Sequence, residues 1–194
     1  MSWMPLAAGR AEAFIAERTG RAPMNEGAFL DLYTRTAGPL NGYLCRLTGN
    51  AAVAEDLLQD AYLRFLSQPQ VPEDADHRRN YLYRIATNLA RDHFRQGRRH
   101  QELPEGDAYQ PSSPAAGTDA ASFDVPAVLA RLSPRDRELL LLAYVEGLTH
   151  REIGQITGLM RGSIKPLLFR ARRRFTRAWL ACGAGAADPL KVMS

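Results

Sequence analysis

The chain has 194 residues, 45% hydrophobic and 24% charged, with a formal net charge of +4. That length holds one domain or two small ones, and the composition is that of an ordinary globular protein rather than a disordered or fibrous one. Two distant cysteines, Cys45 and Cys182, and four isolated histidines offer neither a disulfide framework nor a metal site, so no cofactor is expected.

The first residues, 1–24, form a poorly patterned extension to which no role is given. They lack the basic region and apolar run of a secretion signal, and no later stretch is long enough to span a bilayer, so a cytoplasmic protein without membrane insertion is expected. Phe29, Leu32, Tyr33, Leu40, Tyr43, Leu44 and Leu47 recur at helical spacing, with Gly38-Pro39 expected to bend or split that helix. Gly49-Asn50 is a turn.

Residues 52–68 make the next helix. Leu57, Leu58, Ala61, Tyr62 and Phe65 supply its apolar side, and Glu55, Asp56, Gln59 and Asp60 crowd its first turns. Carboxylates there are favoured by the helix dipole alone, or they form a docking surface for a basic partner. Pattern leaves both readings open. Charge then reverses along the chain. Between Ala54 and Asp76 six acids face Arg64 alone; between His77 and Gln101 seven arginines face only Asp92. Separate acidic and basic surfaces imply two kinds of partner.

After a loop at 68–76, a third helix presents Tyr81, Arg84, Asn88, Arg91 and Arg95 at steps of three or four residues, hence on one stripe. A ring, an amide and a column of arginines suit single-stranded nucleic acid; a solvated arginine face is the plain alternative. Residues 100–124, rich in Pro, Ser, Ala and Gly, read as a flexible linker between two helical modules.

Beyond the linker, Val125–Leu132 is a short helix. Ser133-Pro134 caps another, which carries Leu139, Leu140, Leu142, Ala143 and Val145 and ends at Gly147. Thr149 and Glu152 form a capping box, Gly158 suits a left-handed helix stop, and Ile164, Leu168, Ala171 and Phe175 mark the following helix. That last helix carries Arg161, Lys165, Arg170, Arg172, Arg173, Arg174 and Arg177 with no acid among them. Two helices about a tight turn, the second strongly basic, read as a helix-turn-helix that lays its second helix in a DNA major groove.

Taken in order, the segments AEDLLQDAYLRF (54–65), NYLYRIATNLARDHFR (80–95), LARLSPRDRELLLLAYVEGLTHREIGQITGL (129–159) and GSIKPLLFRARRRF (162–175) resemble an extracytoplasmic-function sigma factor. The resemblance implies an all-α chain of two small helical domains, sigma2-like over 25–99 and sigma4-like over 125–181, joined by the linker at 100–124, with a tail at 182–194. It implies three partners: core RNA polymerase at the clamp of its largest subunit, promoter DNA, and an anti-sigma factor. Polymerase docking would fall on Asp56, Leu57, Gln59 and Asp60. Capture of the opened strand at the −10 element would fall on Tyr81, Arg84, Asn88, Arg91 and Arg95, and the loop before Tyr81 would receive a flipped base. Reading of the −35 element would fall on Thr149, Arg151, Arg161, Ser163, Lys165, Phe169, Arg170 and Arg173.

The chain departs from the family pattern at several places. Pro166 and Leu167 stand where a hydroxyl residue and an arginine are usual, which implies altered upstream specificity. Met160 replaces a capping residue, Tyr81 a tryptophan, and Gly154 an alanine, the last expected to loosen the helix-turn-helix contact. A stand-alone helix-turn-helix regulator and a sigma-like decoy for an anti-sigma factor are the competing readings. No nucleophile–base pair, phosphate loop or metal cluster suggests an enzyme.

Overall fold

The computed structural model describes residues 26–72, 74–101 and 125–182. The expected extension at 1–24, nearly all of the linker and nearly all of the tail lie outside the described residues. The described residues form eight helical segments joined by short turns and loops, with no strand among them.

Helix α1, Glu26–Thr48, runs unbroken through Pro39. A proline inside a helix costs about 3 kcal/mol because the i−4 carbonyl loses its donor. Leu40, Tyr43, Leu44 and Leu47, all at most 1% exposed, lie on the far side of it. Each contributes roughly 1.5–3 kcal/mol by burial, so packing outweighs the break that local propensity predicts. Gly49, with φ +74°, turns the chain. Asn50 then caps helix α2, Ala51–Leu66, its side-chain oxygen accepting from the amides of Ala52 and Val53 at 3.0 and 3.2 Å. Helix α3, Ala75–Gln101, begins earlier than the arginine pattern suggests, because the Asp74 carboxylate accepts from the His77 amide at 3.0 Å.

Helices α1, α2 and α3 enclose the first core, built on Tyr43, Leu44, Phe65, Leu82, Tyr83 and Ala86. The second module opens with the short helix α4, Val125–Ala130, and then α5, Pro134–Leu140. Ser133 caps α5 as expected, accepting from the Asp136 amide, with Pro134 in the first turn. The chain continues from α5 into a π-helical turn, Leu141–Val145, rather than a regular helix end. There the Glu146 amide reaches back to the Leu141 carbonyl, and Leu148 to Leu142, both at 3.0 Å.

Helix α6, His150–Thr157, has the expected capping box and ends on Gly158 in the left-handed region, φ +74°. Helix α7, Arg161–Ala181, buries Ile164, Leu168, Ala171, Phe175 and Trp179. The two modules share one continuous core, for α6 lies along α3 and the π-helical turn touches α1.

Candidate nucleic-acid interface and partner surface

On α2, Asp56, Gln59 and Asp60 are exposed together with Glu55, forming an acidic outer face. Leu57 is only 8% exposed and belongs to the core. Of the four residues expected to dock on polymerase, Asp56, Gln59 and Asp60 share the surface, and Leu57 supports it from beneath. Leu63, half exposed, gives the same helix one apolar side chain on the outside.

On α3, Arg84 and Asn88 are exposed, and Tyr81 lies half-buried with its ring 6.1 Å from that of Phe65. Tyr81 is thus anchored on α2 while keeping an outward part. Arg95 is exposed and paired with Asp92 one turn away. Arg91 departs from the stripe. Its guanidinium turns into the seam between the modules and donates to both oxygens of Glu138, at 2.9 and 2.6 Å, and to the Thr157 carbonyl at 3.2 Å. Burial pushes the Glu138 carboxyl above its ordinary range, with Arg91 pulling the other way. The forked geometry is that of a charge-assisted pair.

Three further contacts cross the seam. The Tyr83 hydroxyl donates to Glu146 at 2.5 Å, and Arg79 lies 3.6 Å from the same carboxylate. Tyr83 is held well above the ordinary phenol range, first by burial and then by the Glu146 carboxylate it donates to. Arg137, 8% exposed, donates to the carbonyls of Leu129 and Ala130 and, across the seam, to Leu47 at 2.7 Å. One guanidinium thereby serves carbonyls at the C-terminal ends of α1 and α4, where cations are favoured.

Arg137, Glu138 and Glu146 were not singled out from the sequence. A signal existed: the four consecutive charged residues Arg135 to Glu138 span about 300° of a helix's circumference. They sit in a helix that also carries Leu139 and Leu140, so at least one must face inward, and Asp136, Arg137 and Glu138 are buried.

In the helix-turn-helix, Thr149 donates to Glu152 at 2.6 Å and accepts from its amide. The Thr149 hydroxyl holds the Glu152 carboxyl below its usual range, with Asn80 and Arg79 of α3 adding to it. Arg151, Arg161, Lys165, Phe169, Arg170 and Arg173 are exposed, and Ser163 is half-buried. Phe169 is 59% exposed, an unusual position for a large apolar ring, and Arg173 lies over it at 5.9 Å. Two of the seven cations of α7 serve its own module instead. Arg174 pairs with Asp136 at 2.7 and 3.0 Å, and Arg172 lies over the Tyr144 ring.

Pro166 is the sixth residue of α7, and the helix continues past it to Ala181. One expectation about the departures changes. Gly154 tightens rather than loosens the motif: a Cβ there would stand 3.0 Å from the Leu159 carbonyl, so the glycine lets the turn close on α6. Met160 does leave α7 without a side-chain cap, and it is 80% exposed.

An acidic helix face, an arginine-bearing helix with an anchored ring, and a basic helix-turn-helix are the features of a helical DNA-binding protein. Sequence comparison makes the class specific. Residues 32–100 match the model described as Sigma-70 region 2, and residues 122–175 that described as Sigma-70, region 4. The chain is 33% identical over 159 residues to the RNA polymerase sigma factor CarQ of Myxococcus xanthus, covering 78% of this chain and 87% of that one. It is 31% identical over 166 residues to the ECF RNA polymerase sigma factor SigL of Mycobacterium tuberculosis, covering 82% and 93%. The fold is similar, at TM-score 0.58 and 23% identity, to the sigma factor RpoE of Bartonella quintana solved with the anti-sigma factor NepR, over 77% of this chain and 95% of that one. The chain belongs to the ECF sigma factors, the promoter-directing subunits of RNA polymerase.

Proposed function

We propose a division of labour among the three surfaces. The acidic face of α2 (Asp56, Gln59 and Asp60, with Glu55 beside them) docks on a basic element of core polymerase at the clamp. The edge of α3 bearing Tyr81, Arg84, Asn88 and Arg95 holds the opened strand at the −10 element, with Arg91 at its border. Helix α7 enters the major groove at the −35 element through Lys165, Phe169, Arg170 and Arg173, while Thr149, Arg151, Arg161 and Ser163 fix its position on the backbone. Residues 25–99 and 125–181 act as the two units, with 100–124 between them. The protein performs no catalysis and works beside the polymerase in the cytoplasm. An anti-sigma factor is a further partner, as it is for the RpoE structure.

The observation that carries this reading is the separation of charge. The carboxylates of α2 and the cations of α7 lie on different elements, both exposed, so one chain can hold a basic protein surface and DNA at once. The test is retention of the full chain on immobilised core polymerase. Asp56→Arg plus Asp60→Arg is expected to lower retention at least tenfold while leaving helicity unchanged. Wild-type retention by the double variant would overturn the docking assignment.

A further inference from the structure

Helix α7 carries an apolar line in the middle of its basic face. Gly162, Pro166, Phe169 and Arg173 follow one another at steps of four, three and four residues, so they share one ridge, and all four are exposed. The buried side chains Ile164, Leu168, Ala171 and Phe175 lie on the opposite side of the helix. The ridge is therefore the outermost line of α7. Lys165 and Arg170, both exposed, flank it about 70° away on either side. Leu167 is half-buried and packed on the core, so it takes no part in the ridge.

The middle of this ridge offers no hydrogen bond. Pro166 has neither a polar side chain nor an amide hydrogen, and Phe169 is a bare ring at 59% exposure. The Arg173 guanidinium stands 5.9 Å from the centre of that ring, and Arg170 donates to the Pro166 carbonyl at 3.3 Å. The two rings are thus bordered by cations yet remain exposed. In a major groove they meet donors and acceptors on every base edge, with one exception, the 5-methyl group of thymine. Guanine or cytosine facing the pair would give up water and gain no partner, whereas a thymine methyl gains an apolar contact.

We propose that Pro166 and Phe169 form a methyl-reading edge that selects one or two adjacent thymines within the upstream element. Selection works by burying the methyl against two rings and needs no hydrogen bond from the ridge. Lys165 and Arg170 serve the neighbouring base pairs and phosphates. The inference rests on the reading of α7 as the helix that enters the major groove.

Holoenzyme assembled from the full chain and core polymerase is used to enrich duplexes from a random pool, and binding to the labelled product is followed by fluorescence anisotropy. Each upstream thymine is then replaced singly by deoxyuridine, which removes the methyl and keeps every hydrogen bond. At the thymine facing the ridge, this is expected to weaken binding about threefold, the effect of withdrawing one methyl from an apolar contact. In Phe169→Ala the same replacement is expected to cost nothing further, because the contact is already gone. Cytosine at that position is expected to bind more weakly than thymine, and 5-methylcytosine to recover part of the loss. Pro166→Ser, which puts a hydroxyl on the ridge, is expected to narrow the difference between thymine and cytosine.

Deoxyuridine without effect at every upstream thymine, with binding still lowered by Lys165→Ala plus Arg170→Ala, would overturn the methyl reading alone. A Phe169→Ala chain that keeps the full deoxyuridine loss would overturn it as well. Duplexes enriched without any upstream preference, and bound equally by Lys165→Ala plus Arg170→Ala, would overturn the placement of α7 and this inference with it.

Discussion

Helices α3 and α7 carry seven cations each, and the two sets have different employment. On α3, Arg79 and Arg91 reach out of their own module to carboxylates of the other. On α7, Arg172 and Arg174 fold back onto Tyr144 and Asp136 of the same module, and the remaining cations face outward. The basic face of α7 is therefore set by its own module, whereas that of α3 depends on whether the other module is in place. A run of arginines in sequence does not distinguish the two cases; the distinction lies in where the opposing carboxylates end up.

The sharpest way to break this comparison is Arg137→Met. It removes the donor to three carbonyls, those of Leu47, Leu129 and Ala130, while keeping the apolar stem. Leaving buried acceptors unpaired costs about 1–3 kcal/mol each where water cannot replace the donor, so a total loss of about 2–4 kcal/mol is expected. Urea unfolding measures it, and an unshifted midpoint would show that the modules do not depend on this bridge. Ser133→Ala tests the self-contained side. It removes the α5 cap and the hydroxyl bonded to Asp136, for an expected loss of about 1 kcal/mol.

The smallest effect concerns acid. The Glu152 carboxyl is depressed in the folded chain, so its contribution is complete above the unfolded carboxylate value, about 4.3. It is lost as pH falls through the lower folded value and the capping box opens. Thr149→Val is expected to flatten that part of the stability–pH curve. A curve unchanged in shape would mean that Thr149 does not set the Glu152 titration.

What was legible in the sequence was local. Ser133-Pro134, Thr149 with Glu152, and Gly158 each act over four residues or fewer, and each appears as read. The periodic apolar residues of α1 and α7 also appear as read, but Pro39 was overvalued. Propensity describes an isolated helix, whereas Pro39 sits in a helix held by buried side chains on both sides. The charge pattern placed the acidic and basic surfaces, and the resemblance assigned them partners. Neither disclosed the seam, whose contacts join residues 47 and 63 positions apart, or 90 for Arg137 and Leu47. No short-range pattern encodes which of several charged residues will meet across such a distance. For the same reason Arg91 read as an ordinary member of its stripe.

The account turns on α3 holding the opened strand while α7 holds the upstream duplex. Permanganate reactivity of promoter thymines, measured alongside duplex retention with core polymerase, tests it most directly. Arg84→Ala plus Asn88→Ala is expected to keep promoter retention within threefold of wild type and abolish reactivity near −10, whereas Lys165→Ala plus Arg170→Ala is expected to lower retention at least tenfold. Wild-type reactivity in the Arg84 and Asn88 variant, or undiminished retention in the Lys165 and Arg170 variant, would contradict it.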